Sequence, residues 1–142
     1  MLDKDFIKRK VKLIQEELVH IEEFADLSFD EVAKDYRKVA IIERLLEKII
    51  TRAIDINQHI LAEKGKGSEA VRRYEETFTE LAQMGIYSED FGKAIAPSAG
   101  LRNRLVHEYD NLDEKIVYKS VGEALAQYAA YCDFILKFIE KE

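Results

Sequence analysis

An arginine, an imidazole and a phenol fall within the string Arg102-Asn103-Arg104-Leu105-Val106-His107-Glu108-Tyr109. Those residue types together can support transfer at phosphorus. An imidazole, with its pKa near 6.5, passes a proton at neutral pH. A guanidinium holds the negative oxygens of a phosphodiester and of its transition state. If the substrate is RNA, the nucleophile is already present as the 2′-hydroxyl, and the chemistry needs no metal. Other chemistries lack their residues. The single cysteine, Cys132, excludes a disulfide framework and a cysteine-built zinc site. His20 lies beside an apolar stripe. His59 follows Asp55 at i+4, which suits a surface ion pair or a capping contact better than a metal site without a third ligand.

The same segment has an unusual charge. Residues 91–107 read FGKAIAPSAGLRNRLVH and hold Lys93, Arg102 and Arg104 without one acid, in a chain with 22 Lys and Arg against 28 Asp and Glu. Proteins that bind nucleic acid by bulk charge are usually basic. This chain, at a net charge of −6, would need a local anion site such as this one. A plainer reading also fits: Arg102 and Arg104 solvate a helix face, and His107 caps its C-terminal end. Geometry tests the catalytic reading. Asn103 and His107 are at i+4 and share a face. Arg102 and His107 are five apart, about 140° around a helix. They converge only if the helix frays, if the long arginine reaches around, or if a second chain brings the same segment.

The elements that must carry this segment read as helices. With one proline and six glycines in 142 residues, the chain has too few turn residues for a strand-rich domain, and its length predicts one domain over residues 1–142. Ile7, Val11, Ile14, Leu18, Ile21 and Ala25 form the stripe of a first helix over about residues 3–25. Ser28 with Glu31 is a capping box, and no breaker follows until Gly65, which predicts one long second helix. Its stripe runs from Val32 and Tyr36 to Ile60, and Ala40, Ile41 and Ile54 widen it. Lys64-Gly65-Lys66-Gly67-Ser68 is a loop without phosphate-loop spacing. A third helix is expected over 70–83, with Val71, Tyr74, Phe78 and Leu81 inside, ending at Met84-Gly85. Ser88 caps a fourth that Pro97 breaks or kinks, and Asp113 caps a fifth that buries Cys132. The expectation is an all-α, up-and-down bundle of four to five helices with a long second helix. The wide apolar faces of the second and fifth helices suggest a homodimer.

Arg102, four residues, His107, one residue, Tyr109 resembles the R-x4-H-x-Y motif of the HepT-like toxins, small all-α proteins of the HEPN superfamily. The likeness extends back through Arg44-Leu45-Leu46, through Ala53-Ile54-Asp55-Ile56-Asn57-Gln58-His59, and through Tyr74, Phe78, Leu81 and Gly85. It implies a homodimer whose two motifs face each other across a cleft, and a metal-independent ribonuclease acting on RNA. By that resemblance Arg102 and His107 are catalytic, Asn103 is an orienting neighbour and Asp55 a supporting acid. Arg102, Arg104 and Lys93 would bind phosphate. The resemblance also implies an MNT-type nucleotidyltransferase antitoxin, as in type VII-like toxin–antitoxin pairs, that moves AMP from ATP to Tyr109. The chain itself would need no cofactor or metal, since the ATP belongs to the partner.

Two other readings use the same helices: a non-catalytic partner subunit of a minimal nucleotidyltransferase, and a helical dimer that scaffolds another protein. The longest uncharged apolar runs are a few residues, so no membrane span is expected. The opening Met-Leu-Asp-Lys-Asp has no apolar signal segment. With one cysteine, that points to the cytoplasm.

Overall fold

A computed structural model describes residues 1–65, 73–107 and 112–142. Among them are seven helices and no strand. They are α1 (Lys4–Glu22), α2 (Phe29–Ala33), α3 (Tyr36–Lys64), α4 (Tyr74–Gln83), α5 (Glu89–Ile95), α6 (Pro97–His107) and α7 (Glu114–Lys141). The all-α bundle is as expected, but the count and order differ. The Ser28 hydroxyl does accept from the Glu31 amide, yet the helix it opens is only five residues long. Asp35 is extended and accepts from the Arg37 amide, so it caps a new helix and splits the predicted one. The long helix is therefore the third. Its 29 residues span about 44 Å.

The remaining boundaries follow local chemistry. Gly85 takes φ +82°, a left-handed conformation that only glycine adopts cheaply, and α4 ends just before it. The Ser88 hydroxyl caps α5 through the Phe91 amide, and the Asp113 carboxylate caps α7 through the Lys115 amide. Pro97, which has no amide hydrogen to leave unpaired, opens α6. The expected loop residues Lys66, Gly67 and Ser68, the expected core residue Val71, and Asp110 and Asn111 of the expected turn lie outside the described residues.

α3 is central. It packs on α1, α2, α4, α6 and α7, and α1 also packs on α7. This is why its apolar face is wide: Ile42, Leu46, Ile49, Ile56 and Ile60 are fully buried, with Ile50 and Ile54 close behind. Three expected core positions of α3 are not core: Tyr36 is 77% exposed and Ile41 49%, and Ala40 is exposed, because Tyr36 opens α3 and no neighbouring helix covers these side chains. Ala25, expected on the α1 stripe, is exposed beyond the end of that helix. Beside α3, α7 contributes buried Tyr128 and Tyr131, whose rings meet Phe78 of α4 edge-on. Cys132 is fully buried, and burial pushes its thiol up to about 12, so it is an inert packing residue. No helix among the described residues is long and apolar enough to cross a membrane.

A polar chain runs through this core. The Tyr131 hydroxyl donates to Asn57 Oδ1 at 2.5 Å, with the Ala53 carbonyl at 3.1 Å as a second acceptor. Asn57 Nδ2 donates to Thr77 Oγ1 at 3.1 Å, and Thr77 donates to the Tyr74 carbonyl at 2.6 Å. The chain links α7 and α3 to the first turn of α4. Asn57 and Thr77 are both buried, so each link is expensive to leave unmade.

Candidate active site

The arginine–histidine segment rides on α6, which packs on α3 and α4. Ala99 and Leu105 are its buried anchors. Its first turn is tied to the bundle. Ser98 Oγ donates to the Ile95 carbonyl at 2.7 Å and lies 2.6 Å from the Tyr128 hydroxyl. The serine proton is committed to the carbonyl, so Tyr128 is the donor of that second bond. α6 is thereby tied down at its first turn, and Leu105 is buried toward its other end.

Arg102 is half-buried on this helix. Its Nε donates to Thr51 Oγ1 of α3 at 3.1 Å. The guanidinium carbon stands 5.6 Å from the centroid of the Tyr74 ring, within cation–π range. One terminal nitrogen lies 3.5 Å from Asn103 Oδ1, a weak contact that matches the orienting place expected of Asn103. Among the described residues, no carboxylate lies within ion-pair distance of Arg102. Asn103 itself is exposed. It borders a cleft of about 260 Å³ with Arg73, Tyr74 and Glu75.

His107 is the last residue of α6 and is exposed, with no hydrogen-bond partner among the described residues. The helix stays regular to that point, so the angular separation from Arg102 persists within one chain. Arg104 turns to the other side of α6. There it borders a cavity of about 400 Å³ with Pro97, Lys119, Glu123, Gln127 and Tyr128. Lys93 is exposed on α5, across the Pro97 break. The three expected phosphate-binding cations thus sit on different faces. Asp55 lies one turn beyond Thr51 on α3, where its carboxylate takes a bond from Lys10 Nζ at 3.1 Å. Tyr109, the expected modification site, is outside the described residues.

His59 accepts from the Asp3 amide at 2.9 Å, so it serves the start of α1, one of the two contacts expected for it. His20 is exposed. Among the described residues, no group of three His, Cys, Asp or Glu side chains is placed to hold a metal ion.

Sequence reasoning missed both residues that hold Arg102. Tyr74 follows the apolar stripe of α4 by phase and was expected inside. It is 40% exposed because it is the first residue of the helix, with no preceding turn to cover it. Thr51 interrupts the run Ile49-Ile50, which marks it only as an edge position of α3. Its bond spans 51 residues of chain and depends on where α6 docks.

The sequence profile of the ribonuclease HepT-like family matches residues 14–135, a span that includes Thr51, Asp55, Tyr74, Arg102 and His107. A tRNA nuclease HepT from Aphanizomenon flos-aquae is 42% identical over 125 residues, 88% of this chain and 84% of the relative. An mRNA nuclease HepT from Shewanella oneidensis is 30% identical over 90 residues, 63% of this chain and 66% of the relative. A chain from a crystal structure of a toxin–antitoxin pair with AMP-PNP has the same fold, with a TM-score of 0.83 at 23% identity, covering 94% of this chain and 98% of that one. With a profile match across most of its length and a relative this similar, the chain belongs to the ribonuclease HepT-like family.

Proposed function

We propose that this protein is the toxin of a type VII-like toxin–antitoxin pair and a metal-independent endoribonuclease. The observation that carries the reading is the state of its two key groups. Arg102 is fixed by Thr51 and Tyr74 but has no carboxylate partner among the described residues, and the exposed His107 imidazole is uncommitted. An oriented cation without a counter-charge suits an anion, and an uncommitted imidazole suits proton transfer. The tRNA nuclease relative supports RNA as the substrate class.

In this reading the 2′-oxygen of a ribose bonds to the adjacent phosphorus as the bond from phosphorus to the 5′-oxygen breaks. An imidazole takes the 2′ proton, and an imidazolium gives one to the leaving oxygen. Arg102 holds the phosphoryl oxygens as charge builds on them. The products are a 2′,3′-cyclic phosphate and a 5′-hydroxyl. A homodimer brings both motifs into one cleft, where the His107 imidazole of one chain takes the 2′ proton and, as imidazolium, gives it to the leaving oxygen beside Arg102 of the other chain. Asn103 would orient Arg102, while Arg104 and Lys93 would meet the RNA backbone away from the scissile bond. Asp55, already bonded to Lys10, would act only through the shape of α3.

Neutralisation would come from an MNT-type nucleotidyltransferase antitoxin. The Tyr109 oxygen would bond to the α-phosphorus of the partner's ATP, pyrophosphate would leave, and the phenol proton would pass to a base or to water. The added phosphodiester, two residues from His107, would compete with RNA for Arg102. Support for this partner comes from the toxin–antitoxin structure that shares the fold.

The test is RNA cleavage by purified wild type and His107→Ala in the presence of EDTA, read on a gel. Cleavage by wild type alone is expected. Equal cleavage by both removes His107 from the chemistry. No cleavage by either, on protein that mass spectrometry shows free of AMP, moves the chain to the partner-subunit reading.

A further inference from the structure

We propose that Thr51 and Tyr74 are positioning residues that set which edge of the Arg102 guanidinium meets the phosphate. The use of that edge rests on the ribonuclease reading; the positioning itself does not. A guanidinium offers five N–H donors in a rigid planar fork, so its orientation decides which oxygens it can reach. Here the Nε donor is spent on Thr51 Oγ1 at 3.1 Å. That fixes one edge against α3 and leaves the terminal nitrogens, one of them in weak contact with Asn103 Oδ1 at 3.5 Å, as the edge for an anion. The Tyr74 ring, 5.6 Å from the guanidinium carbon, limits where the head can swing.

The choice of residue types fits this role. Threonine is a neutral acceptor with a stiff side chain, so it orients the arginine without neutralising it. A carboxylate in the same place would form an ion pair that RNA would have to break. The two acids one turn from Thr51 on α3 are both committed, Asp55 to Lys10 of α1 and Glu47 to Arg44. Tyr74 is also fixed from behind: its carbonyl accepts from Thr77, which accepts from buried Asn57. Both restraints on Arg102 therefore trace back to α3, through Thr51 directly and through Asn57 to Tyr74. Neither residue need touch RNA.

The experiment compares wild type, Thr51→Val, Thr51→Ser, Tyr74→Phe and Tyr74→Leu under single- and multiple-turnover conditions on a defined RNA. Thr51→Val keeps the shape and loses the acceptor. It should lower kcat about tenfold and leave KM within about twofold, because a misaimed cation loses most in the transition state. Thr51→Ser and Tyr74→Phe should stay within about twofold of wild type, and Tyr74→Leu should fall about fivefold or more. In an Arg102→Ala background, Thr51→Val should cause no further loss, since it acts only through the arginine. A purely structural role would lower activity in both backgrounds and lower the melting temperature.

A second readout needs no activity. In ¹⁵N NMR the Arg102 Nε–H should stand apart from free arginine side chains and exchange slowly, and Thr51→Val should abolish both features. Full activity in Thr51→Val, an equal loss in the Arg102→Ala background, or an unchanged Nε–H signal would overturn the proposal. If wild type cuts no RNA, the ribonuclease reading falls, and the NMR comparison alone decides the positioning.

Discussion

The acids of the α1–α3 contact are already claimed by cations. Lys10 takes Asp55, while Glu17 of α1 accepts from Lys48 at 2.9 Å and from Arg52 at 3.3 Å. Glu17 has only 12% of its side chain exposed. Desolvation pulls its pKa up, but the hydrogen bonds and charges of Lys48 and Arg52 outweigh it and hold the carboxyl below its ordinary value of 4.5. A carboxyl lowered by folding adds stability that is complete above its unfolded pKa and fades as pH falls through the folded one. Glu17→Gln should therefore cost about 1 kcal/mol at pH 7, where the charge-assisted bonds are lost. The gap from wild type should shrink as pH falls below 4.5. Urea titrations at pH 7 and pH 3 check this; a gap that grows toward acid has the wrong sign. The residues able to do chemistry, Arg102 and His107, stand out in the sequence by type and spacing. Their supports do not, because Thr51, Tyr74 and Lys10 acquire roles only when distant turns of helix meet.

At the scale of elements, helix ends were more legible than helix continuity. Ser28, Ser88 and Asp113 all cap as their types predict, since a cap is a bond between near neighbours in sequence. The break at Asp35 was missed because the apolar stripe continues through it from Val32 to Val39, and periodicity reports a face without reporting a kink. Continuity in α3 matters because it places Thr51 and Asn57 on one rigid rod, both serving the site. Asn57 is the less obvious of the two. In the sequence it is one polar residue within a family string, yet in the core it links Tyr131 to Thr77 and so seats the first turn of α4. Asn57→Ala should cost about 2 kcal/mol, roughly one for each buried bond lost. Amide exchange in the first turn of α4 should accelerate beyond that of α7. A variant that melts within a degree of wild type would show the chain to be dispensable for seating α4.

For the whole molecule the decisive fact is the regularity of α6. The sequence left three ways to bring Arg102 and His107 together, and the first was fraying near His107. The structure keeps α6 helical through His107, so that route is closed. Arg102 is also held by Thr51, which leaves it little freedom to reach around the helix. If the ribonuclease reading holds, the remaining route is the second copy: the arginine of one chain works with the imidazole of the other. That arrangement makes a prediction a self-contained site would not. The Arg102→Ala homodimer should keep only a small residual activity, readable in single turnover, and the His107→Ala homodimer none. Unfolded together and refolded as a mixture, half of the dimers pair one of each, and every such dimer keeps one intact arginine–histidine pair across the interface. Activity should return to about a quarter of wild type, half the dimers times one of two pairs. If each chain's own arginine and histidine formed the site, no mixed dimer would contain an intact pair and mixing would recover nothing. Sedimentation of the wild type supplies the control. A species of twice the 16.5 kDa chain mass is required, and a stable monomer that cuts RNA would rule out the shared site.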